Sequence, residues 1–158
     1  MNYKTAVISL GCAKNQVDAE MLLYTLKERG FKLVDEAEKA DAVIVNTCGF
    51  IDSAKQESID EIIELGSLKR EGKIKAIIVT GCLAERYQDE ITKQLYEIDA
   101  AVGIGANEQI ADIVEKALSG EETIELFPDK LLLPLEGGRV QSTPFYTAYL
   151  KIAEGCDN

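Results

Sequence analysis

The stretch Asp41-Ala42-Val43-Ile44-Val45-Asn46-Thr47-Cys48-Gly49-Phe50 decides the fold that we predict for this chain. Its apolar run is short, rich in β-branched residues, and ends abruptly at Asn-Thr-Cys-Gly. Such a run is typical of a buried parallel strand that leads into a loop. Two more stretches repeat the pattern, namely Thr5-Ala6-Val7-Ile8-Ser9-Leu10-Gly11-Cys12 and Ala76-Ile77-Ile78-Val79-Thr80-Gly81-Cys82.

Each of these three strands is predicted to end at a cysteine. The carboxyl ends of parallel strands lie along one edge of a sheet, and open α/β folds bind their ligands at that edge. If the three strands are neighbours, Cys12, Cys48 and Cys82 meet there although they are far apart in the sequence. We therefore predict one site that contains all three thiols.

Helical periodicity separates the predicted strands. Short strands are also expected near residues 31–34 and 100–103, which gives the order β-α-β-β-α-β-α-β-α. This alternation predicts an α/β fold with a mostly parallel sheet and helices on both faces, in either a flavodoxin-like or a Rossmann-like strand order.

Local signals predict where the helices begin and end. Asn15 is expected to cap the first helix, and Ser53 with Gln56 forms a candidate capping box for the second. A single helix is predicted over residues 84–95, and a last helix ends near Gly120.

After the last predicted helix, the alternation of strand and helix patterns ends. We predict an amino-terminal domain over residues 1–120 and a linker with some extended structure over residues 121–145. Residues 146–158 are expected to form the first strand and first cysteine loop of a further domain, so that the chain is the front part of a longer protein.

Composition excludes several classes of function. The chain has 17 Lys and Arg against 28 Asp and Glu, a formal charge of −11, which argues against nucleic-acid binding by this segment. No signal peptide or membrane-spanning run is evident, so we expect a cytoplasmic protein without membrane contact. The absence of histidine excludes His-based catalysis and His metal ligands.

Cysteines in a reducing compartment favour metal or redox chemistry over disulfides. An iron-sulfur cluster with three protein thiolates leaves one iron open, and helix amino termini beside the thiols would offset their negative charge. Glycines at positions 11, 49 and 81 would let the backbone approach closely. The alternatives are inert buried cysteines or a zinc site, although zinc usually takes four ligands in close pairs.

Three polar residues near the cysteines are candidates for hydrogen bonds to cluster sulfurs or to a ligand. They are Asn15, Asn46 and Thr47, and ordinary capping or loop hydrogen bonds explain them equally well.

Four separated motifs, in this order, resemble the methylthiotransferases of the radical S-adenosylmethionine superfamily. They are Ser9-Leu10-Gly11-Cys12-Ala13-Lys14-Asn15, residues 46–58 with the sequence NTCGFIDSAKQES, Thr80-Gly81-Cys82-Leu83-Ala84-Glu85-Arg86-Tyr87, and Tyr149-Leu150-Lys151-Ile152-Ala153-Glu154-Gly155-Cys156. The run after Cys48 and the final motif are most similar to the members that modify a ribosomal protein. Members that modify tRNA usually carry a different run after the second cysteine.

The resemblance implies a Rossmann-like amino-terminal domain in which Cys12, Cys48 and Cys82 hold an auxiliary 4Fe-4S cluster. It implies that Cys156 is the first ligand of a second 4Fe-4S cluster, in a barrel that binds S-adenosylmethionine. The other two cysteines of that motif are not in this sequence, so we expect the chain alone to be inactive.

The activity implied for the full-length protein is a transferase reaction that adds a methylthio group to the β-carbon of an aspartate in a small-subunit ribosomal protein. Two alternatives stay open. One is a tRNA methylthiotransferase of the same family, and the other is a non-enzymatic iron-sulfur carrier or redox module.

Overall fold

The structure is a computed structural model that describes residues 2–120, 122–129 and 137–153, with every side chain of these ranges except that of Asp89. The strands are β1 (Lys4–Ser9), β2 (Lys32–Leu33), β3 (Ala42–Thr47), β4 (Ala76–Gly81), β5 (Ala100–Val102) and β6 (Ile124–Leu126). The helices are α1 (Ala13–Glu28), α2 (Asp52–Arg70), α3 (Cys82–Tyr87), α4 (Asp89–Gln94) and α5 (Ile110–Ser119). None of the described helices is long and apolar enough to cross a membrane.

All six strands are parallel and lie in the order β2-β1-β3-β4-β5-β6. The first five follow the flavodoxin-like order 2-1-3-4-5, which decides between the two orders that the sequence left open. Strands β1, β3 and β4 are direct neighbours, paired from Thr5 opposite Ala42 and from Ala42 opposite Ala76. The condition for a shared cysteine site is therefore met.

The two faces of the sheet carry separate hydrophobic cores, as expected for a parallel sheet that helices cover on both sides. Alternate residues of β3 enter different cores, because Ile44 packs with Leu22, Leu26 and Ile110, whereas Val43 packs on the opposite face with Ile62. Helices α1 and α5 thus cover one face, and α2 and α3 cover the other.

One predicted helix is broken in the structure. Residues 84–95 were expected to form a single helix, but α3 and α4 are separated at Gln88, whose φ of 43° and ψ of −122° are not helical. Leu83 before the break and Ile91 after it are both buried, so apolar periodicity carries no signal of the interruption.

Both predicted amino-terminal caps are wrong. Helix α1 is capped by Cys12 and α2 by Ile51, and neither side chain makes a capping hydrogen bond. Asn15 lies within the first turn of α1, where its side chain bonds to neighbouring strand ends instead. Gln56 donates to Asp60 Oδ1 rather than closing a capping box.

The chain after α5 returns to the sheet and then to α1. Strand β6 pairs with β5, so the sheet extends into the segment that the sequence presented as a linker. Residues 137–153 contain no helix or strand, so the strand expected from residue 146 is not formed over residues 146–153. Val140 N–H donates to the backbone oxygen of Glu20 on α1 at 3.0 Å. The division into three segments remains a prediction.

Candidate functional site

The carboxyl ends of β1, β3 and β4 bring Cys12, Cys48 and Cys82 to one edge of the sheet, which we call the cysteine edge. Cys48 directly follows β3, and Cys82 directly follows β4 and begins α3. Cys12 comes three residues after the end of β1 and immediately before α1. Parallel pairing of the three strands is what aligns these positions.

Asn15 lies among all three cysteines. The thiols of Cys12 and Cys82 both face its Oδ1 atom, at sulfur–oxygen distances of 3.7 and 4.0 Å. On the other side of the amide, Cys48 Sγ and Asn15 Nδ2 both lie within 3.3 Å of the point that a Cβ atom on Gly11 would occupy. Two of the sulfurs therefore lie against the buried amide of Asn15, and the third lies against Gly11 beside it.

The amide of Asn15 also ties the strand ends together. Its Nδ2 group donates to Leu10 O and to Thr47 O, both at 2.9 Å, which links the ends of β1 and β3. The side chain of Asn46 donates to the backbone oxygen of Asn15 at 2.7 Å. These bonds fix the cysteine loops of the first two strands relative to α1.

Glycines next to the cysteines allow the strand ends to approach each other. A Cβ atom on Gly11, which has a φ of 104°, would lie 2.6 Å from Cys48 Cβ. A Cβ atom on Gly81, with a φ of 93°, would lie 2.4 Å from Thr47 O. No side chain fits at either position, so the spacing of the thiols depends on these two glycines.

Ser58 on α2 holds the peptide of Cys48. Its fully buried hydroxyl lies 3.3 Å from Cys48 N, from which it accepts, and 3.2 Å from Cys48 O. The sequence offered a signal for this role, because Ser58 falls four residues before the buried Ile62 and is a polar residue on an apolar stripe. Ser58 was nevertheless not among the residues predicted to serve the site.

The other polar candidates bond mainly to the backbone. Besides the bond of Asn46 to Asn15, Thr47 Oγ1 donates to Thr80 O at 2.6 Å. Of the three polar residues named from the sequence, Asn15 is the one that contacts cysteine sulfurs in the described part of the chain.

Solvent access differs among the three thiols. Cys48 is 8% exposed, Cys82 is half-buried and Cys12 is exposed. The cysteine edge is therefore closed at its centre and open on the side of Cys12.

Two cations lie beside the cysteine edge. Arg86 follows Cys82 by one helical turn, and its Nη1 donates to Gly49 O at 3.3 Å, next to Cys48. Lys55 Nζ donates to Tyr87 Oη at 2.7 Å. Both charges contact the ring of Tyr87, with Lys55 Nζ 4.6 Å and Arg86 Cζ 5.8 Å from its centroid.

The donor set fits a polynuclear cluster better than a single ion. Within the described ranges, no three or more Cys, His, Asp or Glu side chains form a group that could hold one metal ion. In an iron-sulfur cluster each thiolate binds its own iron atom, so the sulfurs need not converge on one point. Three thiols around Asn15 match that arrangement. The fourth predicted ligand, Cys156, lies outside the described residues.

Comparison with known proteins places the chain in a protein family. Residues 4–103, which include all three cysteines of the cysteine edge, match the family described as "Uncharacterized protein family UPF0004". The match covers well over half of the chain, and the chain belongs to this family.

Curated relatives are similar over nearly the whole chain. The chain is 49% identical over 152 residues to the "Ribosomal protein uS12 methylthiotransferase RimO" of Thermoanaerobacter sp. (strain X514), covering 96% of this chain and 35% of that protein. The protein with the same description from Clostridioides difficile (strain 630) is 48% identical, over 98% of this chain and 35% of its own length. The one from Desulforamulus reducens is 50% identical, over 96% of this chain and 34% of its own length. The chain therefore spans about a third of these relatives.

Proposed function

We propose that this chain is the part of a radical S-adenosylmethionine methylthiotransferase that binds the auxiliary 4Fe-4S cluster. The observation that carries the proposal is the meeting of Cys12, Cys48 and Cys82 around Asn15 at the cysteine edge. The names of the relatives support the reaction class, and the substrate in those names supports the ribosomal protein uS12 as the partner. The reaction would add a methylthio group to the β-carbon of an aspartate in uS12, and the enzyme would act in the cytoplasm.

In this proposal, Cys12, Cys48 and Cys82 bind three of the four irons as thiolates. When bound, the cluster supplies one iron without a protein ligand, where a sulfur species can attach. The residues around the thiols have separate tasks. Asn15 and Ser58 hold the cysteine loops in place, and the glycines let those loops approach.

The exposure of the thiols suggests the direction from which the substrate approaches. Because Cys48 is buried and Cys12 is exposed, a substrate reaches the site most directly from the side of Cys12. Burial around Cys48 excludes water from the inner part of the site.

The remaining chemistry belongs to a part of the protein beyond this chain. Cys156 would be the first ligand of the second 4Fe-4S cluster, in a barrel that also binds S-adenosylmethionine. Since this sequence lacks the other two cysteines of that motif, the 158-residue chain alone would not cleave S-adenosylmethionine.

The test is a methylthiolation assay on the full-length protein with uS12 as substrate. Wild type should modify an aspartate of uS12, and Cys12→Ala, Cys48→Ala and Cys82→Ala should each abolish modification while 5′-deoxyadenosine still forms at the other cluster. Cys156→Ala is the matched control, because it should abolish 5′-deoxyadenosine formation as well.

Three outcomes would contradict the proposal. Retained methylthiolation in all three single variants would refute the assigned ligands. Modification of tRNA instead of uS12 would favour the related tRNA enzymes, and a stable, redox-active cluster without any transfer reaction would favour a carrier or redox module.

A further inference from the structure

Lys55 and Arg86 lack an acidic partner although the chain as a whole is strongly acidic. The formal charge is −11, and many cations on this protein pair with carboxylates, as Arg29 does with Asp112 and Lys69 with Asp99. Among the side chains that the structure describes, no carboxylate lies within ion-pair distance of Lys55 or Arg86. Their contacts are to neutral groups, Tyr87 Oη and Gly49 O.

The location of this pair relates it to the cysteines. Arg86 and Cys82 are four residues apart in α3, so their side chains leave the same face of the helix. The guanidinium reaches Gly49 O, directly after Cys48. Lys55 joins it through Tyr87, which contacts both cations. The charge of Arg86 thus lies one helical turn from Cys82 and contacts the residue after Cys48, and Lys55 shares the ring of Tyr87 with it.

The ring of Tyr87 attracts each cation, but the two like charges repel each other, and an anion close to both would relieve that repulsion. Arg86 is exposed and Lys55 is half-buried, so an anion from solution can reach them. A carboxylate has two oxygens, which can accept hydrogen bonds from an ammonium and a guanidinium together, and such charge-assisted bonds are strong.

We propose that Lys55 and Arg86 bind the side-chain carboxylate of the aspartate that receives the methylthio group. This inference rests on the proposed function. The γ-carboxyl is bonded directly to the β-carbon, so a group that binds it beside the cysteine edge orients that carbon toward the sulfur site. Lys55 and Arg86 would then determine specificity for aspartate over its neutral amide.

The test compares two substrates in the full-length enzyme, namely uS12 and uS12 with the target aspartate changed to asparagine. Lys55→Gln and Arg86→Gln remove the charges but keep an N–H donor for Tyr87 Oη and for Gly49 O. Wild type should prefer aspartate, and each variant should lower the ratio of kcat/KM for aspartate over asparagine about 10- to 100-fold, as for loss of a hydrogen bond between charged groups.

Controls separate recognition from structural damage. Lys27→Gln removes an exposed charge at the far end of α1 and should leave the ratio unchanged. Iron content and substrate-free 5′-deoxyadenosine formation should stay at the wild-type level in both test variants. If iron content or 5′-deoxyadenosine formation changes, the ratio of kcat/KM for aspartate over asparagine still distinguishes the two roles. A purely structural or cluster-tuning role would slow the reaction of both substrates equally and leave the ratio unchanged.

Two results would overturn the inference in distinguishable ways. A wild-type enzyme that prefers aspartate, with an unchanged ratio in both variants, would refute the role of Lys55 and Arg86 alone. A wild-type enzyme that leaves uS12 unmodified would refute the proposed function, and this inference with it.

Discussion

Gly11 illustrates, at the scale of single residues, how the neighbours of the cysteines shape the site. Its absent side chain leaves the space that Cys48 Cβ and Sγ occupy next to β1. Any other residue would meet Cys48 and would also be strained at a φ of 104°. Glycine here determines the distance between two cysteine loops.

We expect Gly11→Ala to destabilise the chain by roughly 2–4 kcal/mol, since strain at positive φ and overpacking against Cys48 add. Gly30→Ala is the matched control, because Gly30 has a φ of 85° but open space around it. It should cost only about 1–2 kcal/mol. Urea unfolding measures both variants, and equal losses would show that the contact with Cys48 contributes nothing.

The sequence identified the three cysteines and their glycines because strand ends and turn residues leave a clear pattern. It offered two roles for Asn15, a helix cap and a hydrogen-bond partner of the sulfurs, and could not decide between them, since an asparagine near a helix start equally suits a cap. The roles of Lys55 and Arg86 depend on contacts between α2 and α3. No periodicity within a single segment encodes such contacts.

At the scale of elements, Ser58 connects α2 to the end of β3. We expect Ser58→Ala to cost about 1–3 kcal/mol, because the buried Cys48 N–H loses its acceptor. Ser67→Ala is the control, since Ser67 is only half-buried and its bond one turn back, to Ile63 O, is exposed. It should change stability by less than about 0.5 kcal/mol.

The same pair of variants tests whether α2 positions Cys48. Iron uptake of the reconstituted chain should fall in Ser58→Ala and stay unchanged in Ser67→Ala. Equal uptake and equal unfolding midpoints in the two variants would contradict a positioning role for Ser58.

Asp41 joins three strands at the end of the sheet opposite the cysteine edge. Its carboxylate accepts from Lys4 N–H and from Lys75 Nζ, both at 2.9 Å, and these hydrogen bonds lower the pKa of Asp41. A lowered carboxyl pKa adds stability above the unfolded pKa of about 3.9, and this stability is lost as the pH falls through the folded value.

Asp41→Asn should therefore destabilise the chain at pH 7, by about 1 kcal/mol, and the difference from wild type should shrink as the pH falls below about 4. Urea unfolding midpoints of both proteins at pH 7 and pH 3 measure this difference in stability. Asp35→Asn, at an exposed position, should show no such dependence. A loss of stability in Asp41→Asn that is as large at pH 3 as at pH 7 would show that the charge of the Asp41 carboxylate is not the cause.

The strands and most helices could be predicted from the sequence, because buried strands appear as β-branched runs and the buried faces of helices appear as apolar stripes. The strand order could not, since pairing between β1 and β3 depends on which crossover lengths and faces fit together. The break at Gln88 was also missed, because both sides of it bury apolar residues.

At the scale of the whole molecule, residues 137–153 are tied to α1 by buried charges. Glu20 is 1% exposed and pairs with Arg139 at 3.0 Å, while Ser142 N–H donates to its other carboxylate oxygen at 2.9 Å. Lys151, with a side chain only 5% exposed, pairs with Asp18 at 2.7 Å. The segment that leads toward Cys156 is thus fixed on α1, the helix that directly follows Cys12.

Arg139→Gln should destabilise the docked segment by roughly 2–3 kcal/mol, because Glu20 stays buried without its cation but keeps its bonds from Ser142. Hydrogen exchange at the Val140 and Ser142 amides should accelerate. Arg29→Gln is the control, since its pair with Asp112 is exposed and screened by solvent, so its loss should leave the exchange of these amides unchanged. Unchanged exchange in Arg139→Gln would show that the ion pair does not hold the segment.

The most direct test of the central claim is anaerobic reconstitution of the 158-residue chain with iron and sulfide, followed by iron quantitation and electron paramagnetic resonance of the reduced protein. We expect about four irons per chain and a 4Fe-4S signal. Both should be lost in Cys12→Ala, Cys48→Ala or Cys82→Ala and kept in Cys156→Ala. A cluster that survives each of the first three substitutions, or a folded wild-type chain that binds no iron, would contradict it.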